Sequence, residues 1–206
     1  MKSRTQIVRA RPEHIRSIAR RMREADRLEV DAASGKTPGQ ALAFSLRKSS
    51  VAWTWLIDGR PEVMFGVGDL NILAGVGAPW LLGTDVVLSH QMEFLRRSRE
   101  WRNQLLERYS KLTNFVDVRN EVSVRWLRWL GFTLSEPITY RGHDFYIFEL
   151  RSTDVRHNDG SYARLNAHGR GRSGSAGASD SEGRALQRAS AEHEREDCRS
   201  AGERRD

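Results

Sequence analysis

Four β-rich segments follow one another between residues 51 and 83, and no gap between them is long enough for a helical crossover. That run constrains the fold more than any other feature. Residues 51–57 carry Val51, Trp53, Thr54, Trp55 and Ile57, the β-branched and aromatic types that suit a pleated surface. Asp58-Gly59 is a two-residue hairpin turn, and residues 62–67 return from it, with Pro61 tolerable at a strand start. Residues 71–76 read as a third strand, with Gly75 and Gly77 marking a bulge or tight turn. Residues 79–83 are a further apolar piece. Strands joined this closely pair antiparallel, so the regular alternation of a doubly wound sheet is excluded.

The flanking segments are helical. Residues 6–9 form a short opening strand, and Pro12-Glu13 then starts a helix. Its apolar positions are Ile15, Ile18, Ala19, Met22 and Ala25, and its solvent face is Arg16, Arg20, Arg21, Arg23 and Arg27. After the loop 34–39, Thr37 caps a helix over 40–47. Ser89 is the expected cap of the longest helix, over about residues 90–110, with Phe94, Trp101, Leu105 and Tyr109 in one stripe. Residues 112–118 read as a buried strand. Asn120 opens a last helix with Val122, Trp126, Trp129 and Leu130 on its inner side, and Gly131 ends it. Residues 132–134 and 145–150 are the closing strands. The order predicts an α+β fold: a mixed, mostly antiparallel sheet with helices on both faces.

Composition breaks near residue 152. Residues 153–206 hold ten Arg and ten Asp+Glu, with Tyr162 as the one aromatic. The front part carries the whole +7, as 24 Lys+Arg against 17 Asp+Glu. The expected organisation is one domain over 1–152 and a disordered polar tail over 153–206, because the tail is too poor in apolar side chains to offset its ordering entropy. The lone Cys198 excludes a disulfide framework and a Cys-rich zinc site, and the six His show no metal-ligand spacing. The longest apolar stretch, residues 72–83, is broken by Pro79 and falls short of the ~20 residues of a spanning helix, so a soluble chain is expected.

The element order, the strand 112–118 and the segment from Asn120 to Phe132 together resemble GNAT acetyltransferases. The family pattern N-x-x-A-x-x-L-Y-x-x-x-G-F is met at Asn120, Gly131 and Phe132, with Ser123 in place of the Ala. Residues 4–150 also resemble the acetyltransferase-like internal virion proteins of short-tailed phages. That likeness is carried by residues 79–85, the basic helix from Phe94 to Tyr109, and the Asn120 segment. The resemblance implies a phage protein of the virion or the host cytoplasm, partnered by other virion or host proteins, with acetyl-CoA chemistry weakened or lost. The alternative is an active N-acetyltransferase that uses acetyl-CoA on an amine.

Two departures from the family separate these readings. The glycine-rich loop that cradles the diphosphate of coenzyme A is replaced by residues 84–93, which contain no glycine. The family's acid Tyr is replaced by Leu127, which cannot move a proton. For the active alternative, the resemblance points to Asp85 or His90 as the base that takes the amine proton. Ser89, Arg96, Arg97 and Asn120 would hold the cofactor, and a backbone N–H of the splayed fourth strand would stabilise the oxyanion. No metal is expected. The arginine-rich helices predict salt-sensitive contact with nucleic-acid phosphates, not sequence reading.

Overall fold

A computed structural model describes residues 3–158. Strand β1 (Thr5–Arg9) is followed by helices α1 (Pro12–Ala19), α2 (Glu24–Ser34) and α3 (Pro38–Lys48). Next come β2 (Ser49–Ile57), β3 (Arg60–Asn71) and β4 (Val76–Gly83), then the short α4 (Val86–Ser89) and the long α5 (Gln91–Arg108). The chain continues through β5 (Lys111–Asp117), α6 (Glu121–Trp129), β6 (Thr133–Leu134), β7 (Ile138–Tyr140), β8 (His143–Arg151) and α7 (Ser152–Asn158). The eight strands form one sheet in the order β1-β2-β3-β4-β5-β8-β6, with β7 also paired to β8. Every pairing is antiparallel except β4–β5.

Local chemistry sets the element ends. Asp58 and Gly59 both take positive φ, which the tight β2–β3 turn requires. Thr37 and Gln40 bond reciprocally at the start of α3, with Gln40 N–H donating to Thr37 Oγ1 (3.3 Å) and Thr37 N–H to Gln40 Oε1 (2.9 Å). Gly77 lies flat against Tyr109: a Cβ there would stand 2.9 Å from the ring and from Val67.

Helices cover both sheet faces. Leu106, Tyr109, Leu112, Val116, Val124, Leu127, Leu130 and Phe148 form the core under α5 and α6. Ile18, Met22, Val30, Leu42, Met64 and Leu82 form the core under α1, α2 and α3. A third cluster joins Trp55, Ile57, Val63 and Phe65 to Val87, with Trp101 stacked on Phe65 at 3.7 Å between centroids.

Four expectations are corrected. The single first helix is two, because Met22 bridges to Thr84 and Arg23 N–H donates to Gly83 O (2.9 Å), which bends the chain at residues 20–23. Residues 72–75 are the tip of a long β3–β4 hairpin, not part of a separate strand. A short strand, β7, pairs with β8 where none was expected. On α6 the inward residues are Val124, Leu127 and Leu130, whereas Val122 and Trp129 are exposed. The chain continues beyond residue 152 as α7, and the expected tail from residue 159 onward lies outside the described residues. Among the described residues, no helix is long and apolar enough to cross a membrane, and no group of His, Cys, Asp or Glu could hold a metal ion.

Candidate functional site

The sheet opens between β4 and β5. These strands pair only at Val76–Lys111 and Gly77–Leu112, and beyond that register they diverge. The resulting gap exposes the edge of a parallel strand, where unpaired backbone groups could meet a ligand.

This chain's own side chains occupy much of that edge. Asn114 Nδ2, from β5, reaches across to donate to Pro79 O (3.0 Å). In an extended strand the N–H and C=O of one residue leave on the same side. Pro79 therefore faces the gap and brings no donor to it. Four residues on, Gly83 also faces the gap. Its N–H donates to Asp26 Oδ2 (3.0 Å), and its C=O accepts from Arg23 N–H (2.9 Å). By the same alternation, Leu81 presents the remaining backbone group of this edge.

Helix α2 closes the far end of the gap. Arg23 grips Asp26 with two bonds, of 3.2 Å from Nε and 2.5 Å from a terminal nitrogen, and both side chains are buried. One turn on, Glu29 Oε2 accepts from Asn120 Nδ2 (2.8 Å). Helix α2 thus ties the end of β4 to the β5–α6 junction. Asp117 completes the acidic group, held by Arg119 at 2.5–3.1 Å. Burial pushes Glu29 up to about 8, against the pull of the Asn120 bond and with help from the Asp26 charge. Glu29 as a whole is half-buried. Burial also raises Asp26, more than Arg23 and Gly83 lower it. Burial raises Asp117 too, but the bonds from Arg119 outweigh it and hold that carboxyl below its usual range. A further buried acid, Glu62, accepts from Arg21 (2.6 Å) and from the Thr84 hydroxyl beside the gap.

The residues expected to act together lie apart in their bonding. Asn120 is 3% exposed; its Oδ1 caps α6 through Ser123 N–H (3.3 Å) while its amide holds Glu29. Asp85 is exposed at the start of α4. Ser89 does not cap the long helix. It ends α4, with its hydroxyl donating to Val86 O (2.8 Å), and His90 stands at the cap position of α5 without a side-chain cap bond. His90 is half-buried, edge-on to Trp55 at 6.2 Å, and its Nδ1 lies 3.3 Å from Val86 O. Arg97 lies between Glu93 (4.0 Å) and Glu100 (3.7 Å), and Arg96 is exposed. Among the described residues, no hydrogen bond joins Asp85 to His90.

The segment 84–90 is coiled where the resemblance calls for a cradle. The N–H groups of Val87, Leu88 and His90 donate to Thr84 O, Asp85 O and Val87 O at 3.0–3.3 Å. Thr84 N–H donates to Glu62 O (2.9 Å). Asp85 and Glu93 place negative charge beside this turn, which opposes a phosphate. The N–H groups of Thr84, Val87, Leu88 and His90 are thus taken up within the chain itself.

Sequence reasoning missed Arg23, Asp26, Glu29 and Asn114. Arg23 had been placed on a solvent face, yet it is 7% exposed. No local signal marks these residues, because their partners stand 57 and 91 positions away for Asp26 and Glu29. The i, i+3 spacing of Arg23, Asp26 and Glu29 was the one available hint.

A family model described as "Bacteriophage T7, probable scaffold protein Gp13" matches residues 71–139, about a third of the chain. No curated protein matches the sequence. Among solved structures, a GNAT-family acetyltransferase from Streptococcus pneumoniae aligns with TM-score 0.52 at 15% identity, covering 72% of this chain and 99% of its own. An aminoglycoside N(6′)-acetyltransferase from Legionella pneumophila aligns with TM-score 0.56 at 11% identity, covering 77% and 98%. An N-acetyltransferase from Staphylococcus aureus aligns with TM-score 0.52 at 13% identity, covering 73% and 99%. The fold is the GNAT acetyltransferase fold. At these identities the likeness establishes architecture and leaves activity to the site itself.

Proposed function

We propose that this chain is a phage protein of the internal virion type, built on a GNAT fold that does not carry out acetyl transfer from acetyl-CoA. The β4–β5 gap supports this reading most directly. Its backbone edge lacks a donor at Pro79, is bonded to Asn114 at the same residue, and is closed at Gly83 by Arg23 and Asp26. An oxyanion or a pantetheine amide needs backbone donors directed at it, and a diphosphate needs a helix start free of acids. The coil at 84–90 and the core position of Leu127 (5% exposed) favour the same reading. The phage family match over residues 71–139 supports the particle context.

The test is a titration of acetyl-CoA into the full chain, followed by calorimetry and by thermal shift. A ligand at a hundredfold over its Kd adds about 2.7 kcal/mol to stability. The expected result is neither saturable heat nor a rise in melting temperature at millimolar acetyl-CoA. Saturable binding with acetylation of any amine would replace the proposal with the N-acetyltransferase reading, with Asp85 and His90 as the first bases to mutate. Mass spectrometry of purified particles tests the virion assignment, which requires that this chain be found in them.

A further inference from the structure

Charge is unevenly placed along α5. Glu93, Glu100 and Glu107 recur every seven residues on one flank, and Arg96 and Arg97 each stand three or four residues from Glu93 and Glu100. Arg97 lies 4.0 Å from Glu93 and 3.7 Å from Glu100. Arg99 and Arg102 form a basic flank away from these acids. The basic flank lies against α6. Arg102 donates to Leu130 O at the end of α6 (2.7 Å), and the Arg99 guanidinium stacks 4.1 Å over the ring of Trp129. Helix α6 adds Arg125 and Arg128, both exposed, beside the exposed Trp129. Its one acid, Glu121, lies 3.9 Å from Arg125 with both side chains open to water, a weak pairing.

We propose that this shared face of α5 and α6 binds the phosphate backbone of nucleic acid without reading its sequence. Four arginines from two helices, Arg99, Arg102, Arg125 and Arg128, form a predominantly positive surface, which attracts a polyanion and releases its counterions. Arginine suits the task because its planar fork bonds phosphate oxygens in pairs. Stacking on Trp129 holds the Arg99 guanidinium in place, so less side-chain freedom is lost on binding. The face has no groove-entering element, so backbone contact without base readout follows. The proposal is independent of whether the β4–β5 gap takes a cofactor.

The test is fluorescence anisotropy of a labelled 20-base-pair duplex of arbitrary sequence, titrated with the full chain at 50–200 mM salt. Three or four neutralised phosphates predict a slope of log K against log salt between about −2.7 and −3.6. Changing the duplex sequence should leave the affinity within about threefold. The triple change Arg99→Glu, Arg125→Glu and Arg128→Glu should weaken binding at least tenfold at 50 mM salt. Its melting temperature is measured alongside, and Arg125→Gln serves as a milder variant with a smaller loss. Glu107→Gln, on the acidic flank, should not weaken binding. No saturable binding at 50 mM salt would overturn the proposal. So would a folded triple variant that binds as the parent does, since that places contact elsewhere on the chain. Equal competition by polyglutamate of matched charge would reduce the face to a general anion sink and overturn the nucleic-acid assignment.

Discussion

Glu29 concentrates the acid–base behaviour of the gap. Its carboxyl sits among Asp26, Asp117 and Asn120, and burial raises it to about 8 from an ordinary 4.5. Because the folded state holds this proton more tightly than the unfolded chain, the stability it brings is complete below about pH 4.5. It is lost progressively as pH climbs towards 8. Over that window the loss runs at up to about 1.4 kcal/mol per pH unit. Asp26, also raised, adds in the same direction. Asp117, held low by Arg119, acts oppositely, and its contribution disappears as pH falls through its depressed value. Glu29→Gln copies the protonated acid and keeps an acceptor for Asn120. The expected outcome is a variant more stable than the parent at pH 8 and little changed at pH 5, measured by urea unfolding at both values. A parent whose stability is flat from pH 5 to pH 8 would contradict the buried, proton-holding carboxyl.

At the scale of elements, α2 acts as a strap between two strands that the sheet itself leaves apart. The Arg23–Asp26 pair fixes one end on Gly83, and Glu29 with Asn120 fixes the other. Removing Asp26 would strand a buried guanidinium and leave the Gly83 N–H unbonded. Breaking such a pair costs about 3–5 kcal/mol. Asp26→Ala should therefore lose about that much in denaturant unfolding near pH 6. Asp26→Asn, which still accepts from Gly83, should lose less. A loss under about 1 kcal/mol for Asp26→Ala would mean that α2 is held by its apolar face alone. The strap also marks the limit of what sequence could reveal. The β2–β3 hairpin, the Thr37 cap and the Gly131 stop were legible because each is local chemistry within a few residues. The break between α1 and α2 was not, because it is imposed by β4, about sixty positions away. The face of α6 was misread for a related reason: Trp129 looks like core by hydrophobicity, but its ring is covered by an arginine from α5.

At the scale of the whole molecule, the cohesion of the described domain resides between Ile7 and Val155. All three core clusters draw their members from that span. The break in composition near residue 152 falls at the start of α7. Val155, on α7, lies against the cluster under α5 and α6, and Ser152 N–H donates to Ser110 O (3.0 Å). A cut after residue 151 would strip that valine and leave the Ser110 carbonyl without its partner. Partial burial of one valine is worth about 1 kcal/mol, which in a chain of this size shifts the melting temperature by about 2–4 °C. A cut after residue 158 leaves every described member of the clusters in place. Thermal unfolding by circular dichroism should thus give the 1–158 fragment the melting temperature of the full chain within about 1 °C, and the 1–151 fragment a value lower by a few degrees. A 1–158 fragment that melted several degrees below the full chain would contradict this prediction.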